Sequence, residues 1–156
     1  MVDADGTDLQ ARIDLAVACA ASGNRQGAER HYLEALRLKP DSASALTGLG
    51  NLSLKAGEDE RGIALLTKAS AAAPNASEPR FLLGSAYNRV GRHQEAVVQL
   101  ESALRLGGES TEVYYHLARA YGGLNGQRSV AKRWHGLANS RASPRTMSMD
   151  SGKRCG

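Results

Sequence analysis

A 34-residue period runs through the chain and limits what it can fold into more than any other feature. Pro40 and Pro74 stand 34 residues apart, each closing a segment of helix-forming residues, and Gly108 falls where a third proline would stand. With repeat starts at 9, 43, 77 and 111, Leu15, Leu49, Leu83 and Leu117 share one position, followed by Ala16, Gly50, Gly84 and Ala118. Further positions align Cys19, Ser53, Tyr87 and Tyr121; Gly23, Gly57 and Gly91; Ala28, Gly62 and Ala96; Tyr32, Leu66 and Leu100; Ala35, Ala69 and Ala103. Self-similarity at roughly 20–50 residues marks stacked units that bury their apolar faces only against one another.

Each aligned position has a physical reading. A leucine followed by a residue with little side chain lets a neighbouring helix approach closely. The recurring glycine takes the left-handed conformation that ends one helix and begins a turn. Alanine and a large apolar residue four apart, as at Ala28 and Tyr32 or Ala96 and Leu100, lay a stripe along one helix face. Proline then stops the second helix. Asp41, Ser42 and Ser77 stand near helix starts, where short polar oxygens cap free amides. The spacing predicts helices over 9–21, 25–38, 43–55, 59–72, 77–90, 93–106, 111–123 and 128–138.

This pattern resembles the tetratricopeptide repeat, in which a Leu-Gly pair, a tyrosine, two alanines flanking a large apolar residue, and a proline recur within one unit. The resemblance implies an all-α fold, a right-handed α-α superhelix of about eight antiparallel helices in four repeats, 9–42, 43–76, 77–110 and 111–138. Residues 1–8 are then a lead-in, and 139–156 a basic polar tail read as disordered. The chain departs from the family pattern in two places. The first aromatic slot holds Arg12, Leu46 and Arg80 and only then Tyr114; an extra residue near Asn125-Gly126 shifts the fourth repeat to Ala131 and His135.

Composition agrees with packed helices. Of the 156 residues 42% are apolar, chiefly Ala and Leu, with single Phe and Trp residues and two Ile, which disfavours a β-sandwich. No window approaches 18 consecutive apolar residues, so no membrane insertion is expected. The acidic opening Met1-Val2-Asp3-Ala4-Asp5 is unlike a secretory signal, giving the expectation of a cytoplasmic protein, or a periplasmic one if the chain is cut from a longer exported protein. The formal charge is +4, and residues 139–156 carry Arg141, Arg145, Lys153 and Arg154 against Asp150. The body is therefore nearly neutral, which argues against a nucleic-acid partner. Cys19 and Cys155 read as free thiols.

No catalytic constellation stands out, so the chain is not expected to be an enzyme. His31, His93, His116 and His135 occupy different repeat positions without a metal-ligand spacing, and Gly48-Leu49-Gly50 and Gly107-Gly108 follow no strand, so neither metal nor cofactor is expected.

The resemblance implies a concave groove lined by the first helix of each repeat. Its positions carry over to Thr47, Asn51, Lys55, Phe81, Ser85, Asn88, Arg89, Tyr115 and Arg119, with Ile13, Val17 and Glu78 among their neighbours. These offer an extended peptide amides, cations and aromatic faces. Two specialised family sites are missing. The slots of the carboxylate clamp that grips acidic chaperone tails hold Ile13, Val17, Gly48, Glu78 and Leu82, and Asn51 and Asn88 are not equivalent, so there is no asparagine ladder.

The expectation is a non-catalytic adaptor that binds a peptide or helix of a protein partner in this groove. By analogy with small arrays of similar style, it serves assembly of a bacterial envelope, pilus or secretion complex. The alternative is a homo-oligomer: Val130, Trp134 and Leu137 lie on one side of the last helix, with no evident capping helix after them.

Overall fold

The computed structural model describes residues 4–128, with side-chain burial from residue 8 onward. Among these residues it is all-α. Three helical hairpins follow in order: α1 (Ala4–Ala21) with α2 (Arg25–Leu38), α3 (Ala43–Lys55) with α4 (Asp59–Ala72), and α5 (Ser77–Arg89) with α6 (His93–Arg105). A seventh helix, α7, covers 111–128. The chain divides into two units, Met1–Ala120 and Tyr121–Gly156, and the packing described below lies within the first.

The repeated glycine makes each hairpin turn. Gly23, Gly57 and Gly91 have φ of 79°, 81° and 78°, values that cost a residue with a β-carbon, and each sits just past a first helix. In the second repeat the Gly57 amide donates to the Leu54 carbonyl at 3.0 Å and the Glu58 amide to the Ser53 carbonyl at 2.9 Å, which satisfies the helix end. The second helices stop differently. Lys39, extended at φ −141° and ψ 98°, and Ala73, at φ −129° and ψ 79°, precede the prolines outside the helical region, which the proline ring disfavours. The third repeat lacks that proline and instead uses Gly107, at φ 83°.

At the helix starts, the Ser42 hydroxyl accepts from the Ala45 amide and the Asn24 side chain accepts from the Gly27 amide. Ser77 does not cap; it is the first residue of α5, behind Ala76. Helix α1 starts at Ala4, five residues before the sequence reading placed it, so most of the expected lead-in 1–8 is helical. The fourth repeat also differs, because 111–128 is one helical run where a break after 123 is expected. The position that holds the turn glycine in the first three repeats holds Asn125, and Gly126 lies inside the helix. Asparagine tolerates positive φ less readily than glycine, and the helix runs on through both residues. The eighth helix expected at 128–138, and the tail, lie outside the described residues.

Inter-repeat contacts separate two layers. The backbone of α1 comes close to that of α3, and α3 to α5, whereas the backbones of α2, α4 and α6 come close only to odd-numbered neighbours. Helices that meet lie inside the curve of a stacked array, so the odd helices form the concave side. The core runs between the layers. Leu49 joins Ile13, Ala16, Ala28, Tyr32 and Ala35 of the first repeat, and Leu83 joins Leu54, Ile63 and Leu66 of the second. The repeated leucine is thus the residue that docks each repeat onto the one before it. Leu15, at the same repeat position, is 48% exposed, against 2% for Leu83.

This gives a paired test of one sequence position in two environments. Leu83→Ala is expected to cost about 2–5 kcal/mol in urea unfolding, and Leu15→Ala about 0.5 kcal/mol. Equal costs would contradict the docking role.

Candidate ligand groove

Three helices line a cavity of about 570 Å³ on the concave side. Helix α1 supplies an apolar wall of Ile13, Val17, Ala20 and Ala21; α3 supplies Ser44, Thr47, Gly48, Asn51 and Lys55; Glu78 and Pro79, at the start of α5, close one end. The α3 residues recur at helical spacing, so they form a single stripe facing the α1 wall.

The floor comes from a residue read in the sequence only as packing. Tyr32 of α2 is 4% exposed, yet its phenol reaches the cavity. A β-carbon at Gly48 would lie 2.5 Å from the Tyr32 hydroxyl oxygen and 2.3 Å from the ring, so the missing side chain at Gly48 is the opening through which Tyr32 arrives. Leu66 and Leu100 occupy the Tyr32 position in the next repeats, while Leu82 and His116 stand at the Gly48 position. The one sequence signal was this paired exchange, a larger polar ring where a side chain was deleted opposite. The hydroxyl makes no hydrogen bond among the described residues. Burial, and secondarily the charge of Glu78, push its pKa up, so it stays a phenol across the physiological range.

The structure brings together three of the nine expected contact residues in this cavity: Thr47, Asn51 and Lys55. Thr47 is buried and its hydroxyl donates to the Ala43 carbonyl at 2.7 Å, which spends its proton within α3. The Asn51 amide and the Lys55 ammonium have no partner among the described residues.

Two others are engaged by the protein itself. Asn88 is 2% exposed; its amide nitrogen donates to the His116 carbonyl at 2.8 Å and its oxygen faces His93 Nδ1 at 3.1 Å. It joins α5, α6 and α7 and is buried among them. Arg89 turns back onto the preceding repeat, donating to the Leu54 carbonyl at 2.7 Å and pairing with Asp59 at 3.1 Å. Lys55 occupies the same repeat position as Arg89, but the residue matching Asp59 one repeat earlier is Arg25. Like charge leaves Lys55 nothing to pair with there, so it remains a free cation of the groove. Arg25 itself is tied to Glu58, which also pairs with Arg61 at 2.9 Å.

The remaining candidates lie outside the cavity. Phe81 and Tyr115 both meet the His116 ring edge-on, with centroids 5.6 and 5.3 Å away. Tyr115 is exposed, Ser85 is half-buried on α5, and Arg119 is exposed one turn beyond His116. Val130, Trp134 and Leu137 lie outside the described residues. Among the described residues no cluster of His, Cys, Asp or Glu is arranged to hold a metal ion, and no helix is long and apolar enough to cross a membrane.

Comparison with known proteins follows from this geometry. Tetratricopeptide repeat family models match residues 20–84 and 77–120, together about two thirds of the chain. The chain belongs to the tetratricopeptide repeat family. No curated protein sequence matches it. Among solved structures, a mutant Thermobaculum terrenum O-GlcNAc transferase is similar at TM-score 0.72 and 26% identity, over 77% of this chain and 23% of that one. The MamA protein is similar at TM-score 0.69 and 25% identity, over 76% and 65% of the two chains. The chain thus spans under a quarter of the transferase's length and about two thirds of MamA's. The first tetratricopeptide repeat domain of Spaghetti (RPAP3), bound to an HSP90 peptide, shares the fold at TM-score 0.74 and 14% identity, over 80% and 99%. The repeat fold and its register are therefore those of the family, while the side chains lining this groove belong to this chain.

Two measurements check the scaffold roles. Asn88→Ala removes the buried contacts to the His116 carbonyl and the His93 ring and is expected to cost about 1–3 kcal/mol in urea unfolding; a neutral effect would return Asn88 to the groove. His116 is held below the ordinary histidine range by burial first and by Arg119 second, with Glu112 acting the other way. The unfolded chain then binds the proton more readily, so this stabilisation is present above about pH 6.5 and is lost as the pH falls through the depressed value. Chemical-shift titration is expected to place the His116 midpoint below that of a free histidine, and His116→Gln to flatten the acid side of the stability profile. A midpoint at or above the free value would overturn the assignment.

Proposed function

We propose that this tetratricopeptide repeat chain is a non-catalytic interaction scaffold that holds a segment of a protein partner in the groove between α1, α3 and α5. The observation that carries this reading is the preformed cavity, in which an apolar wall faces Asn51, Lys55 and the Tyr32 hydroxyl, polar groups with no partner among the described residues. Side chains that satisfy only the fold would have been paired, as Asn88 and Arg89 are. Peptide-bound tetratricopeptide domains of the same fold support the reading: the first repeat domain of Spaghetti with an HSP90 peptide, and the TPR2B domain of yeast Sti1 in its pHsp70 complex. The mechanism is display of a rigid surface, which lowers the ordering cost of binding. Service to a bacterial envelope, pilus or secretion assembly rests on analogy with other small arrays. Self-association rests on the sequence of Val130, Trp134 and Leu137, and light scattering across a concentration series tests it.

Selection from a displayed peptide library tests the groove. Peptides retained by the folded chain are expected to lose about tenfold or more in affinity on Val17→Asp, which places a charge in the apolar wall. Lys68→Glu, on the outer helix α4, is expected to leave them unchanged. A library that yields no binder, or binders indifferent to Val17→Asp, would sink the reading.

A further inference from the structure

The groove carries opposite charges at its two ends, and neither is neutralised by the protein. Glu78 opens α5, level with Ser44 at the start of α3, and Lys55 is the last residue of α3. Neither forms an ion pair or hydrogen bond among the described residues. Helices α1, α3 and α5 run in the same direction, since each is followed by an antiparallel partner. Eleven residues of helical rise separate the Ser44 and Lys55 levels, about 16 Å. Between them lie the apolar wall of Ile13 and Val17, the Asn51 amide and, on the floor, the Tyr32 hydroxyl. That hydroxyl belongs to a side chain 4% exposed, and it is aimed into the cavity without a partner.

These features define the occupant. A helix bonds its backbone N–H and C=O groups internally and leaves none for the Asn51 amide and the Tyr32 hydroxyl, which an extended chain can bond. An extended chain rises about 3.3 Å per residue, so it covers the span in about five residues. An acidic chaperone-like tail is disfavoured, because its negative run would meet Glu78 as well as Lys55. Resting on the interaction-scaffold reading above, we propose that the groove takes an extended partner segment with a basic side chain over Glu78 and an acidic one over Lys55, about five residues apart. An aliphatic side chain sits between them against Ile13 and Val17, and the segment's backbone bonds to Asn51 and the Tyr32 hydroxyl. The backbone bonds to Asn51 and Tyr32 set the direction in which the segment lies, and the charges set which order of residues fits it.

Two end-blocked synthetic peptides probe this. One carries an arginine five residues before a glutamate, with a leucine midway and serines elsewhere; the other has the same sequence reversed. Binding is followed by NMR titration of the full chain. One order is expected to bind about tenfold more tightly than the other, from the mismatch of two like-charge contacts. The double exchange Lys55→Glu with Glu78→Lys is expected to invert that preference, and both preferences are expected to shrink with added salt. Tyr32→Phe is expected to weaken the preferred peptide about three- to tenfold while leaving helical circular dichroism intact. Equal binding of the two orders, or a preference that survives the double exchange, overturns the charge rule and leaves the scaffold reading standing. So does failure of both peptides while a library-selected peptide still binds in a Val17→Asp-sensitive way. If neither the designed nor the selected peptides bind, both readings fall together.

Discussion

The second and third hairpins of this array close on a contact that leaves no room for a β-carbon. A β-carbon at Gly84 would lie 2.4 Å from Leu100 Cγ, and one at Gly50 would lie 2.7 Å from Leu66 Cγ. Leu66 and Leu100 are fully buried because the facing helix presents bare backbone to them. Such close approach draws the two helices of a repeat together, and the next repeat's leucine then fills the seam they form. The groove inherits its dimensions from this spacing, since α1, α3 and α5 lie where the hairpins place them. The opening through which Tyr32 reaches the floor is the same device used once more, at Gly48, for a polar ring.

Polar side chains on the concave side have two fates, decided by what the adjacent repeat offers. Arg89 adds a second donor to the Leu54 carbonyl at the end of α3, meets the carboxylate of Asp59, and becomes a tie between repeats. Lys55 would find Arg25 and is left facing the groove. Asn88 is drawn inward by His93 and by the His116 carbonyl, whereas Asn51 meets no such partners. Ion pairs on the outer side, such as Arg61 with Glu29 at 2.6 Å, link successive second helices but are exposed and contribute little to stability. The groove's character follows from charges that the scaffold leaves unpaired.

Much of the scaffold was legible beforehand for a local reason. The first six helices end within one residue of their expected ends, because the stops are written in residues with restricted or unusual backbone geometry: Gly57 and Pro74 act within a few positions of themselves. Where that punctuation was weak the reading slipped. Nothing before Leu9 marks the start of α1, and the helix runs through Asn125-Gly126, where the spacing predicts a break after 123. In the groove, repeat register showed which side chains share a face, so Thr47, Asn51 and Lys55 could be grouped. It did not show which were already bonded, and it passed over Tyr32, whose position in the repeat looks like core.

The amino-acid sequence alone determined the class of structure: helical hairpins of fixed length, stacked through a leucine, with odd helices inside. It could do so because capping, turning and close packing depend on residues near one another in the chain and recur at every repeat. Tertiary structure decided which groups remain free to bind. Whether Lys55 or Arg89 has a partner, and whether the Tyr32 hydroxyl meets protein or open cavity, depends on side chains from other helices, often a full repeat away. Desolvation and pairing are properties of that assembled neighbourhood, and no single repeat contains them.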